Sequence, residues 1–287
     1  MHTHTLPTFD STPLRVHVWE PSDPKGLVLA CHDVGEHSAR FDGLAEALAE
    51  AGFVTIAHDQ RGFGATAPTS QLGHGNADTF EYSLQDIIFL YRYYLREYGL
   101  PIYLLGQGYG GYLILGALQR GILHPAGVML MSVGLLSTQT MRAALTVLKG
   151  IPVKDSPATL SLPLMQALSS KERTATMADA KVSDPLWGVV PTVAFDTAML
   201  EGLLSVFSPE GVAKWDRNVP YALLAGMDDP NLGKEGEAAV GMLLMMRRWG
   251  FEPRFFGYQD VRHDILHSAV AERCHGHILH FLADIEA

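Results

Sequence analysis

The stretch Tyr103-Leu104-Leu105-Gly106-Gln107-Gly108-Tyr109-Gly110-Gly111-Tyr112 joins a short apolar run to a glycine-packed turn, and the helix-like "GYLILGALQR" of residues 111–120 overlaps its end. A strand that stops at such a turn and hands over to a helix is half of a βαβ unit. The chain on either side repeats the theme. "GLVLACHD" (26–33) is a continuous apolar run, as expected of a strand buried on both faces. "FDGLAEALAEAG" (41–52) has helical spacing and stops at Gly52, and "FVTIAHD" (53–59) is a second buried strand. "LQDIIFLYRYYLREYG" (84–99) is a long amphipathic helix leading into "PIYLLG" (101–106). Further strands are expected at "AGVMLMSV" (126–133), "VPYALLAG" (219–226) and "EPRFFGYQ" (252–259), with a closing helix at "AVAERCHGHILHFLADIEA" (269–287). "LRVHVWEP" (14–21) alternates apolar and polar residues and suits an antiparallel edge strand. The class is therefore α/β: a mostly parallel central sheet with helices on both faces.

One region breaks the alternation. Roughly Leu135 to Asp216 is rich in Met, Leu, Ser, Thr and Pro and carries no strand-like run. It is expected to be a helical lid inserted over the C-terminal edge of the sheet, where ligands bind in open α/β folds. The organisation that follows is residues 1–134 as the first part of the core, 135–216 as the lid and 217–287 as the second part of the core.

Bulk properties narrow the function. With 47% hydrophobic and 18% charged residues among 287, the chain can bury a large core. A formal charge of -10 argues against nucleic acid or an anionic membrane as partner, because phosphate binding needs a basic patch. Two cysteines, Cys31 and Cys274, are read as reduced thiols of a cytosolic protein. "MHTHTLPTFDST" has no basic region followed by an apolar core, so no secretory signal is expected. No apolar run approaches about 18 residues, the length of a membrane span. "AAVGMLLMM" (238–246) reads as buried helix, and a cytoplasmic location is the expectation.

Four segments occur together in order: "ACHDVGEHSARFDGLAEALAEAGFVTIAHDQRGFG" (30–64), "LLGQGYGG" (104–111), "GMDDPNLGKEG" (226–236) and "YQDVRHDIL" (258–266). Over nearly the whole chain this resembles the α/β-hydrolase fold, in its monoacylglycerol lipase and lysophospholipase branch. The resemblance implies hydrolysis of a carboxylic ester or amide with an apolar body and no cofactor. In that fold the nucleophile, acid and base follow one another along the chain. His263 matches the base, Asp229 the acid that fixes its tautomer, with Asp228 as neighbouring fallback. The oxyanion-hole donors would be the backbone N–H groups of Val34 and Tyr109.

The match fails at the centre of the elbow. Where the family carries Gly-x-Ser-x-Gly, the middle residue is Gly108. Glycine relieves the strain of that turn, but loss of the nucleophile in a serine protease lowers turnover by about 10⁶-fold. Ester hydrolysis by the family mechanism is not expected of Gly108. A single inactivating replacement and a native glycine both fit; Gln107 and Tyr109, where the branch usually has His and a residue such as Met, favour the second. The family's His-Gly is His32-Asp33 here, and both residues are candidates to touch the substrate. An inward-facing Asp33 would oppose a developing oxyanion and a solvent-facing one would not; both orientations stay open.

Other groups carry weaker signals. Ser132 follows the next strand and is read as a buried hydroxyl bonded to backbone. Cys31 is a small core residue. His263 and His267 are spaced as a metal pair but lack a third ligand, so no metal is expected. His275, His277 and His280 are faces of the closing helix, and Gly62 and Gly64 belong to a structural turn. In the lid, Leu186, Trp187, Val190, Phe195, Met199 and Leu203 are candidates to line an apolar channel. Three outcomes remain: a hydrolase without its nucleophile, an enzyme using His263 and Asp229 as a non-covalent general base, and a non-catalytic binding protein.

Overall fold

The computed structural model describes residues 1–157 and 184–286. Among the described residues, eight strands form one sheet in the order β1-β2-β4-β3-β5-β6-β7-β8. They are β1 His2–Pro7, β2 Pro13–Trp19, β3 Gly26–Cys31, β4 Phe53–His58, β5 Ile102–Gln107, β6 Gly127–Met131, β7 Tyr221–Gly226 and β8 Arg254–Tyr258. β1 and β2 pair antiparallel, as do β2 and β4, and every later pairing is parallel. The apolar runs of β3, β4, β5 and β7 are buried at every position, as strands covered on both faces must be.

One face carries α1 Asp42–Glu50 and α7 Ala271–Glu286, packed on Val28, Tyr103, Leu105 and Leu224. The other carries α2 Thr79–Tyr98, α3 Tyr109–Leu118 and α6 Glu237–Arg248. α2 ends at Gly99 in the left-handed region (φ 63°), a conformation glycine adopts without steric cost. α3 is buried at all ten positions, which explains why its apolar residues surround the helix without a polar face. It approaches the sheet so closely that a Cβ on Gly106 would lie 2.4 Å from Gly111 Cα, and one on Gly110 would lie 2.1 Å from the Cys31 carbonyl oxygen.

The insertion between β6 and β7 contributes α4 Thr138–Gly150 and α5 Val193–Val206, then a helical turn at Pro209–Val212. Both helices open on hydroxyl caps, Ser137 accepting from Thr140 N–H and Thr192 from Phe195 N–H. Part of the stretch expected to form the lid, residues 158–183, lies outside the described residues.

Three sequence expectations need correction. β2 is not the edge strand, because β1 covers it; the His-Thr alternation of β1 has no apolar face and so gave no hydrophobic signal. α2 starts at Thr79, five residues before the apolar periodicity begins. "AAVGMLLMM" is only half buried: Ala239, Met242 and Met246 face the sheet while Leu244 is exposed.

Candidate active site

β5 ends at Gln107, and Gly108 turns the chain into α3 with φ 48° and ψ −117°. That backbone is the sharp strand-to-helix elbow expected from the glycine-packed turn, and a side chain there is strained. The Gly108 N–H is tied to the Met131 carbonyl oxygen at 2.9 Å, which fixes the elbow to β6.

His263 follows β8. Its Nδ1–H donates to Asp229 Oδ2 at 2.6 Å, and Asp229, on the loop after β7, is fully buried. Asp228 does not fill this role; its N–H bonds the Val261 carbonyl oxygen. The other ring nitrogen points back to the elbow and meets not a hydroxyl but Asp33: His263 Nε2–H donates to Asp33 Oδ2 at 2.8 Å. Asp33 Oδ1 in turn accepts the Tyr109 N–H at 2.7 Å. The orientation left open by the sequence is therefore inward, and Asp33 is 6% exposed.

The carboxylate fills the space above Gly108: a Cβ there would lie 2.2 Å from Asp33 Oδ1. Two attractions hold it. The first turn of α3 presents an unpaired N–H and the positive end of the helix dipole, and His263 presents a cation. Although burial lowers the pKa of His263, the facing carboxylates of Asp229 and Asp33 outweigh it and raise the value well above 6.5. At neutral pH the ring is an imidazolium donating from both nitrogens.

The remaining histidine of this loop is structural, which corrects its expected place on the substrate. His32 is fully buried; Nδ1–H donates to the Asp33 carbonyl oxygen at 2.7 Å and Nε2 accepts the Gln60 N–H at 2.9 Å. Burial pushes its pKa down to about 4, and that of buried His58 to about 3. Both rings are neutral in the fold and charged in the unfolded chain below about pH 6.5. The unfolded state then binds more protons, so stability falls as pH drops from 6.5 toward 4 and 3. At about 1.4 kcal/mol per pH unit, His32 alone contributes on the order of 3 kcal/mol. Thermal melts should show this acid limb, and His58→Leu should flatten part of it; an unchanged limb would refute the assignment.

A cavity of about 990 Å³ opens over the elbow. Asp33, Val34, Gly108, Tyr109, Ser132 and His263 form its floor, and its walls are mainly apolar: Leu136, Met141, Ala144 and Leu148 from α4 and its approach, Met199 and Leu203 from α5, Phe207 beyond. Of the lid residues expected to line a channel, Met199 and Leu203 are among its walls. Leu186, Trp187, Val190 and Phe195 do not line it. Phe195 packs edge-on against Phe63 and Tyr109, with ring centroids 5.1 and 5.5 Å away. Trp187 lies under the Arg40 guanidinium, 4.5 Å from its ring centroid. This segment instead ties the insertion to the Asp33 loop: Gly188 N–H donates to the Gly35 carbonyl oxygen at 2.8 Å, and His37 Nε2 bonds Asp184 Oδ2 at 2.7 Å. The α4 wall was missed, although Met141, Ala144 and Leu148 recur at helical spacing on the buried side.

Ser132 lines the cavity, but its hydroxyl donates to the His263 carbonyl oxygen at 2.7 Å and helps hold that loop. The Cys31 thiol is buried and its pKa is pushed up to about 12 by desolvation. His267 pairs with Asp264 at 2.7 Å, and His277 stacks on Phe256 with ring centroids 4.5 Å apart. Gly62 and Gly64 stand in a turn anchored by Arg61, whose guanidinium grips Asp86 at 2.6 and 2.8 Å. Among the described residues no three His, Cys, Asp or Glu side chains converge to hold a metal, and no helix is long and apolar enough to cross a membrane.

This sheet order, the elbow before α3 and the acid and histidine after β7 and β8 define an α/β hydrolase. Residues 22–268 match the family described as "Serine aminopeptidase, S33", and the chain belongs to that family. Human monoglyceride lipase is 29% identical over 215 residues, spanning 74% of this chain and 68% of its own length. A thermostable carboxyl esterase from Bacillus coagulans shares the fold with a TM-score of 0.87 at 20% identity, covering 100% of this chain and 99% of its own. A soluble variant of monoglyceride lipase from Saccharomyces cerevisiae superposes with a TM-score of 0.74 at 17% identity, covering 99% and 95% respectively. The protein is thus an α/β hydrolase of this family, similar in sequence to monoglyceride lipases.

Proposed function

We propose that the protein takes a small molecule with an apolar, acyl-ester-like body and transforms it by proton transfer at His263, without an acyl-serine intermediate. One observation carries the reading: the histidine of the family's acid–base pair is retained and engaged, yet it faces a carboxylate instead of a hydroxyl. In this arrangement Asp229 orients the ring and stabilises its charged form. His263 supplies a proton from Nε2, and Asp33 is the basic group nearest the space above Gly108. The apolar walls of the cavity supply binding energy, and lipase relatives favour an acyl chain as the body.

The test pairs a covalent probe with a binding measurement. A long-chain fluorophosphonate, which derivatises activated serines, should leave the protein unlabelled, whereas a non-hydrolysable ether analogue of a monoacylglycerol should bind. Filling the cavity with Leu203→Trp should weaken that binding about tenfold, the effect of roughly 1.4 kcal/mol. Stoichiometric fluorophosphonate labelling of any serine would sink the proposal. The lodging of Asp33 on the Tyr109 N–H also favours a second reading, a binding protein with a plugged hole. Under that reading the ligand is bound but not converted, and its binding is indifferent to His263→Ala.

A further inference from the structure

Asp33 lies on the loop after β3, away from the elbow in sequence, yet its carboxyl group occupies the space an elbow side chain would use. A Cβ on Gly108 would meet Asp33 Oδ1 at 2.2 Å and Cγ at 2.4 Å. Its two oxygens have different partners: Oδ1 has the Tyr109 N–H, and Oδ2 has His263 Nε2–H.

That division selects the electrophile. Attack on an ester carbonyl builds charge on the substrate's own oxygen, which needs a free backbone donor in the hole. The Tyr109 N–H is already engaged by Asp33. Attack on a saturated carbon builds no such oxyanion. A departing oxygen then needs only a proton, and His263 Nε2–H lies beside the carboxylate that would attack. Carboxylates serve as nucleophiles where an opposing base can later release the ester.

We propose that Asp33 is a carboxylate nucleophile that opens an epoxide carried on an apolar body, forming an ester on its own side chain that His263 and water then cleave. This rests on the reading above, that the cavity takes an apolar small molecule and that His263 transfers protons.

In the first step Asp33 Oδ2 bonds to a ring carbon of the epoxide and that carbon–oxygen bond breaks. The electron pair goes to the ring oxygen, which takes the Nε2 proton of His263. The result is a hydroxyalkyl ester on Asp33 and a neutral imidazole. The raised pKa of His263 keeps that proton available at the start. In the second step His263 Nε2 removes a proton from water, and the hydroxide adds to Asp33 Cγ. The charge develops on Oδ1, where the Tyr109 N–H already points. Collapse breaks the Cγ–Oδ2 bond, and the new carboxyl proton passes to the departing alkoxide. Asp33 is again a carboxylate and His263 an imidazolium. The sum is epoxide plus water giving a vicinal diol.

The experiment uses the full chain with octyloxirane as probe. A single turnover in heavy-oxygen water should place the label in the peptide containing Asp33 and leave the diol unlabelled, because the diol carries away Oδ2. His263→Gln, which lacks both the proton for the ring oxygen and the base that releases the ester, should form neither the hydroxyalkyl ester on Asp33 nor the diol. Asp33→Asn should lower diol formation by about 10³-fold or more while its melting temperature shows that it is folded. Label found only in the diol would overturn the nucleophile and make Asp33 a general base. Binding of octyloxirane, seen as displacement of the monoacylglycerol ether, with neither diol nor adduct would overturn this inference and leave the preceding reading standing. Failure of both octyloxirane and the ether to bind would overturn both.

Discussion

Gly108→Ser alone should yield no ester hydrolysis, while Gly108→Ser combined with Asp33→Gly should yield it. The family mechanism asks for a serine on the elbow, so the single change looks sufficient on paper. The geometry says otherwise: the new Cβ would lie 2.2 Å from Asp33 Oδ1, and the Tyr109 N–H would still be held by the same carboxylate. A serine introduced there meets an occupied hole and a histidine already bonded to Asp33. Removing the Asp33 side chain clears the hole and frees His263 Nε2 to accept the serine proton. An activated serine is worth about 10⁶ in a serine protease, so even an imperfectly placed one should raise p-nitrophenyl butyrate turnover by about 10³-fold over the parent. The same double variant should become labelled by the fluorophosphonate. Strong activity in Gly108→Ser alone would mean that Asp33 is not held where it is found. Silence in the double variant would mean that the elbow no longer presents a competent nucleophile.

His263→Ala should be among the most destabilising single changes, and its cost should depend on pH in a particular direction. The ring lies between Asp229, fully buried, and Asp33, nearly so, at 2.6 and 2.8 Å. Removing it leaves two carboxylates facing one another without a cation, the situation in which breaking a buried pair costs about 3–5 kcal/mol. For a domain of this size that is a fall of roughly 10 °C in melting temperature. A histidine whose folded pKa is raised stabilises fully below the unfolded value near 6.5 and loses that contribution as pH climbs through the folded value. The gap between parent and variant should therefore be widest near pH 6 and narrow toward alkaline pH, as the parent's own ring loses its proton. A gap that widens with rising pH would show that the ring is neutral in the fold.

Asp33, on which both experiments turn, is where the sequence reading stopped short. His263 and Asp229 could be located because a chain-order rule and short motifs mark them, and the structure brings them to 2.6 Å. Gly108 could be located because a run of glycines after a buried strand leaves little choice but a tight turn, found here with φ 48°. Asp33 could be named as a departure from His-Gly, but side-chain direction depends on what surrounds it. Only the packing of α3 against β3 sets the Tyr109 N–H and His263 on opposite sides of that carboxylate. The cavity wall tells the same story. Leu186, Trp187 and Phe195 were attractive because they are large and apolar, yet Trp187 is spent on Arg40 and Phe195 on Phe63 and Tyr109. Met141 and Leu148, which do form the wall, sit on a helix whose docking partner lies far away in the chain.

By itself the sequence determined the alternation of buried strands and helices, the elbow, and the glycine at its apex, because hydrophobic period and glycine stereochemistry are local properties. Only the tertiary structure decided what faces that glycine. A charged group from a separate loop is drawn to a helix N-terminus and an imidazolium, and that electrostatic meeting exists only once β3, α3 and the loop after β8 have come together.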